Sequence, residues 1–264
     1  RPAGGKLAAA LRPLLPQVLA YAILGAMAVS TVAVLVAAYD GLGPVAIPGG
    51  LPVAVALGAL AVAGAVLWCL DPNEVGLHAF YRGRLARAYP GASVRTGRRK
   101  TEEQETDDFP LQFMAGGAPC HLICCAANDL QGGGDMTNLN RGAESAVLSR
   151  VGLSVAEEWA AWQEGKVVPT LASAVTASGA AFNSLMGSRS IEYGPAVTFL
   201  MAAFNLRLGL WWPHPRRSKE QSLAERTLVG LPFFKEMFGM ARSRGRDVHL
   251  SDGAHFENLG AYEL

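Results

Sequence analysis

The residues best placed to do chemistry lie close together near position 250. Asp247, Val248, His249, Leu250 and Ser251 alternate polar and apolar side chains, the period of a strand with one better buried face. Asp252, Gly253 and Ala254 follow, and then His255, Phe256, Glu257, Asn258, Leu259 and Gly260. The carboxyl end of a strand is where open α/β sheets place their chemistry, and this pattern sets Asp252 there. Gly253 and Ala254 keep the turn small, so that a substrate or a partner residue can approach the carboxylate. Asn258 is expected to support the turn after Asp252, and His255 reads as a polar residue of a helix start. The same pattern also describes a plain strand–turn–helix junction in which Asp252 is the N-cap.

Other reactive residue types carry weaker patterns. Residues 168–187 read VPTLASAVTASGAAFNSLMG, with Thr170 as the cap of a short helix whose side chains are nearly all small. Such a helix suits tight packing against a sheet. Ser178 within it is a candidate nucleophile, yet no Gly-x-Ser-x-Gly elbow surrounds it, and it reads as a buried helical serine. The four cysteines, Cys69, Cys120, Cys124 and Cys125, show no metal-ligand spacing and fit a reducing compartment. Gly132, Gly133 and Gly134 lack the Lys-Ser/Thr that completes a phosphate-binding loop and read as a flexible loop. Glu102, Glu103, Glu105, Asp107 and Asp108 read as a solvated run, so neither a metal nor another cofactor is expected.

These residues need a scaffold, and composition points to a membrane-linked one. Half of the 264 residues are hydrophobic, 17% are charged, and the mean hydropathy is +0.21, high for a soluble protein. The net charge of +1 gives no case for nucleic acid as a partner. Residues 18–39 and 53–70 are uncharged apolar runs close to the roughly 20 residues that cross a bilayer. Arg1, Lys6 and Arg12 precede the first, Arg82, Arg84 and Arg87 follow the second, and the turn between them carries no Lys or Arg. A transmembrane helical hairpin with both ends cytoplasmic is therefore expected over residues 1–70.

Residues 71–110 are expected to form an amphipathic helix, carrying Leu77, Phe80, Tyr81, Leu85 and Tyr89 with Arg82, Arg84 and Arg87 interleaved, and then a polar linker; the helix suits either anionic headgroups at the membrane exit or an ordinary protein surface. Residues 111–264 are expected to form a mixed α/β region. In it, 121–127 read as a buried strand, 154–162 as a helix capped by Ser154 with Glu157 three residues on, and 199–212 as a core helix ending at Pro213. Trp211 and Trp212 alternatively suit a membrane interface.

Several segments, in order, resemble bacterial patatin-like phospholipases. They are Asp71-Pro72-Asn73 with Leu77-His78 and Tyr81-Arg82, residues 102–110, residues 174–187, residues 205–215 and residues 250–264. The run Ala174, Val175, Ala177, Ser178, Ala180, Ala181 followed by the Asp252-Gly253-Ala254 strand end is similar to the family's Ala-Val-x-Ala-Ser-x-Ala-Ala and Asp-Gly-Gly/Ala segments. Phe182 and Asn183 stand where the family usually has a proline. The resemblance implies a partial three-layer α/β/α domain and a membrane-associated lipid acyl hydrolase with a Ser-Asp dyad. It assigns the base to Asp252, with motif and turn support from Gly253, Ala254 and Asn258. The serine elbow and the glycine-rich oxyanion loop are not found, so the chain is expected to be a piece of a longer protein with both lying upstream. The implied partners are a lipid bilayer and a lipid ester, and the implied location is the bacterial inner membrane with the catalytic part in the cytoplasm. A catalytically silent membrane scaffold of the same fold is the other expectation.

Overall fold

The computed structural model describes residues 70–93, 107–132, 140–217 and 229–264, with scattered positions between 58 and 68. The run 18–39, the linker 94–106 and most of 53–70 lie outside the described residues, and with them the expected hairpin. Gly58, Ala61, Gly64, Ala65 and Trp68, within the second apolar run, are helical. Among the described residues no helix is long and apolar enough to cross a membrane.

Six strands form one sheet: β1 (Leu122–Asn128), β2 (Ala143–Ser149), β3 (Gly152–Val155), β4 (Glu158–Ala161), β5 (Leu210–Pro213) and β6 (Asp247–Asp252). Their order is β4-β3-β2-β1-β6-β5, and every neighbouring pair is antiparallel. β4 and β5 are thus opposite edges, yet they approach one another. Arg216, just after β5, donates from Nε to the Trp159 carbonyl at 3.0 Å, and Arg217 pairs with Glu158 at 2.7 Å. The sheet is therefore curled.

The concave face carries Ile123, Cys125, Leu148, Leu153, Leu210 and Leu250, packed in one apolar cluster with Ala174 and Ala177 of α3 (Leu171–Ser178). Alanines on both partners bring α3 close to β1 and β6, as the small side chains of residues 171–178 anticipate. Thr170 caps α3 by accepting from the Ser173 amide at 3.2 Å, and Asp108 accepts from the Ala172 amide at 3.0 Å. On the outer side of α3 lies α1 (Leu77–Ala88), followed by the short α2 (Pro90–Ser93). His78 of α1 joins the two helices, with Nε2 2.9 Å from the Ser173 hydroxyl and Nδ1 2.7 Å from the Leu208 carbonyl. On the convex side the 3-10 turn Gly253–His255 lies against β1 and β2, α6 (Leu231–Met237) reaches β5 through Glu236 and Trp211, and α5 (Pro195–Ala203) packs against α6 and α4 (Ser188–Tyr193). Leu185, Trp211 and Ala241 pack there, and Phe256 packs on Ala126 and Ala143. The mixed α/β class is as expected, with the sheet antiparallel throughout.

Three expectations change. Residues 154–162 are not a helix but most of the β3–β4 hairpin, turned at Ala156, which takes a left-handed φ of 52°. Leu153 and Val155 face the core while Trp159 and Ala161 face out, an alternation that outweighs the Ser154–Glu157 capping signal. Residues 199–212 are not one helix either. α5 ends at Ala203, Asn205 turns the chain with φ 56°, and Trp211 and Trp212 lie on β5. Trp211 is buried, which removes it from any membrane interface. The third change concerns α1, whose buried side is His78, Gly83 and Ala86, while its aromatic side faces out.

Candidate functional site

Asp252 ends β6 directly opposite Cys125 of β1. Its Oδ1 accepts from the Ala254 amide at 2.9 Å, so it does cap the 3-10 turn Gly253–His255. The side chain is nevertheless part-exposed, and among the described residues Oδ2 takes no hydrogen bond. Gly253 is needed for packing, because a Cβ there would stand 2.8 Å from the Cys124 carbonyl oxygen. Ala254 supplies the capping amide and is exposed. Asn258 is exposed and makes no side-chain hydrogen bond among the described residues. The turn is held instead by Glu257, which accepts from the amides of Leu259 at 2.6 Å and Ala261 at 2.8 Å.

Ser178, the last residue of α3, comes to the same end of the sheet. Its hydroxyl donates to the Cys124 carbonyl at 2.6 Å and also bonds the Cys125 thiol. Burial, the neighbouring Cys124 and the Asp252 carboxylate push that thiol up, and the Ser178 bond opposes them. Ser178 and Asp252 thus both adjoin Cys125, but the serine's proton is bound to a backbone carbonyl.

Behind Asp252 runs a buried polar network. Asn128 is its hub: its amide donates to the Ser251 hydroxyl at 2.8 Å and meets His249 Nδ1 at 3.0 Å, while its Oδ1 accepts from the Gly187 amide at 2.7 Å. The Ser251 hydroxyl also shares a hydrogen bond with His255 Nδ1, 2.9 Å away, whose direction follows the imidazole tautomer. His255 thus ties the turn after Asp252 back to Ser251. Burial lowers its pKa, with Asp252 opposing. His249, held also by Asn183 at 3.2 Å, is pushed down to about 4 by burial.

Beyond His249, Trp211 packs edge-on at 5.1 Å and donates from Nε1 to Glu236 at 2.9 Å. Glu236 also receives the Ser184 hydroxyl and pairs with Arg207 at 2.9 Å, both charges fully buried. Burial alone raises the Glu236 carboxyl, but Arg207 and the other donors outweigh it and hold it below its ordinary value. Arg207 also bonds the Pro72 carbonyl and, at 2.7 Å, Asn205 Oδ1. Asn73 completes the cluster with a reciprocal pair of bonds to the Trp211 backbone, 2.8 and 2.9 Å long. Segments around 72, 183, 207, 236 and 249 therefore meet in one place.

The sequence singled out Asp252, which stands at this end of the sheet, and did not single out Asn128, Asn183, Arg207 or Glu236. One signal was available: His249 and Ser251 share a strand face, and Asn128 ends the apolar strand that pairs with them. A separate apolar groove of about 340 Å³ lies between α1 and α3, lined by Leu85, Tyr89, Phe109, Leu171 and Val175 among others. Among the described residues no three His, Cys, Asp or Glu side chains converge as a metal site requires.

No protein-family model, curated protein or solved structure matches the chain.

Proposed function

We propose that this chain carries the base of a membrane-associated serine acyl hydrolase acting on lipid esters. The observation that carries the reading is Asp252 itself: a part-exposed carboxylate at the carboxyl end of a core strand, with one oxygen capping the turn and the other uncommitted. A serine hydroxyl is a poor nucleophile until a positioned base takes its proton. Asp252 takes that proton as the serine oxygen attacks the ester carbonyl, and returns it to the leaving alcohol. Backbone amides must hold the oxyanion that forms. The Ala254 amide fixes the direction of the carboxylate, and the Ser251–His255 bond spans the turn that follows it. Ser178 is a poor choice of nucleophile because its hydroxyl is bound to the Cys124 carbonyl, so the reading takes its serine from a strand-to-helix elbow in a segment outside these residues.

The deciding experiment is Asp252→Asn in the full-length protein. An amide of the same shape keeps the cap but cannot accept a proton, so p-nitrophenyl ester hydrolysis falls by at least ~100-fold, the low end of general-base catalysis. Full activity in that variant returns Asp252 to the role of a cap, which the Asp252–Ala254 bond already gives it, whereas a full-length wild type that hydrolyses no ester favours the silent-scaffold reading. The membrane part of the proposal has its own check. Topology reporters fused at Gly43 and Gly97 report opposite sides of the membrane if residues 18–39 and 53–70 form a hairpin, and the same side if they do not.

A further inference from the structure

Helix α1 half-buries its leucines, Leu77 and Leu85, and leaves its aromatic side chains on the outer side. A surface helix turns its large apolar residues inward. Here the inward side is His78, Gly83 and Ala86, and the outward side presents Phe80 at 55% exposure and Tyr81 at 46%, with Tyr89 at 72% just beyond the last turn. Phe80 and Tyr81 stack edge to face at 5.7 Å, and the Arg84 guanidinium sits 5.2 Å from the Phe80 ring. The helix holds no acidic residue. Arg82 is paired with Glu74 and Arg87 with Asp107, which leaves Arg84 without a carboxylate partner among the described residues.

We infer that this outward face of α1, Phe80, Tyr81, Arg84 and Tyr89, is a bilayer-interface anchor that seats the domain on phospholipid headgroups. Three features select a bilayer as the occupant. Amphipathic rings with an adjacent arginine match the headgroup layer, where aromatic side chains are favoured and a guanidinium meets phosphate. The face is joined through residues 71–76 to the uncharged run 53–70, in which Gly58, Ala61, Gly64, Ala65 and the exposed Trp68 are helical. The charge left over on the face is positive, as lipid phosphates require. The inference rests on the membrane reading above and adds to it a defined contact surface and an orientation, with α1 between the bilayer and α3.

The test uses the unmodified 264-residue chain in phosphatidylcholine–phosphatidylglycerol vesicles containing a lipid with a photoactivatable diazirine near its headgroup. Adducts are mapped by mass spectrometry. The expected result is labelling of Phe80, Tyr81 and Tyr89, with none on Trp159 or Phe113, which are exposed but lie outside α1. Phe80→Ser with Tyr81→Ser should lose the adducts on α1 and keep those in residues 53–70. Adducts in 53–70 with none on α1 overturn the inference while the membrane reading stands. Absence of adducts from both overturns the two together. Protection of Phe80 and Tyr81 from hydroxyl-radical oxidation without lipid adducts assigns the face to a protein partner and likewise overturns it.

Discussion

Two carboxylates in this molecule invite comparison. Glu236 is fully buried, and both of its oxygens are taken by Arg207, Trp211 and Ser184. Asp252 is part-exposed, and one of its oxygens is uncommitted among the described residues. The first has the stronger interactions and the weaker claim to chemistry. A fully buried carboxylate whose two oxygens are both bonded inside the protein holds segments together and is out of a substrate's reach. Catalysis needs a group that is held in direction and still able to bind one more proton. The Ala254 amide, in a turn spanned by the Ser251–His255 bond, gives Asp252 that direction without occupying Oδ2.

The contrast can be broken by substituting each member. The largest effect is expected at Glu236. Glu236→Gln leaves Arg207 charged, buried and uncompensated, which destabilises the fold by about 3–5 kcal/mol in urea unfolding. A loss under 1 kcal/mol, roughly the worth of an exposed pair, would show that water reaches Arg207. Asp252→Asn belongs to the other side of the comparison, with activity lost and the urea midpoint nearly unchanged. If Asp252→Asn also unfolds the domain, the distinction between a structural and a chemical carboxylate collapses.

His249 sharpens the same comparison through pH. Its folded pKa is pushed down from 6.5 to about 4 by burial. The neutral ring is therefore favoured by folding, and this contribution is fully present above pH 6.5. It is lost as pH falls from 6.5 toward 4, because the unfolded chain takes a proton that the folded one refuses. The loss from this group is on the order of 3 kcal/mol at full extent. Urea midpoints measured at pH 7.5 and pH 5 should differ in the wild type and by a smaller amount in His249→Phe, where His78 and His214, also pushed down to about 4 by burial, keep the rest of the dependence; equal pH dependence in the two proteins would refute the assignment. The smallest effect is expected at Ser178. Ser178→Ala removes one part-buried bond to the Cys124 carbonyl, a loss of about 1 kcal/mol, with ester hydrolysis by the full-length protein changed only a few-fold. Abolished labelling by a fluorophosphonate probe in this variant would instead make Ser178 the nucleophile.

What was legible in the sequence was local. The strand over 247–252, the buried strand after His121 and the Thr170 cap each follow from neighbours within a few residues. The β3–β4 hairpin was not legible, because Ser154 and Glu157 imitate a helix start and only the buried partners of Leu153 and Val155 decide the matter. β5 was hidden for a similar reason: its tryptophans read as the end of an apolar helix until Asn73 and β6 pair with their backbone. At the site, Asp252 was visible from its turn. The network behind it was not, since Asn128, Asn183 and Glu236 acquire meaning only when distant segments meet. The Asn258 assignment failed to Glu257 because a longer side chain reaches back to three amides where a shorter one does not.

The reciprocal bonds between Asn73 and the Trp211 backbone span 138 residues of chain, and the bond from Arg207 to Pro72 spans 135. At roughly 5–20 residues per second, a ribosome takes on the order of ten seconds to deliver the second half of each contact after the first has emerged. For that interval the segment carrying Asn73 and α1 has no β5 to dock on. A nascent chain in that state presents Phe80 and Tyr81 before β5 and β6 exist to complete the sheet. On the bilayer-anchor proposal, the membrane becomes the first surface that α1 meets, and the sheet assembles afterwards against a helix already in place.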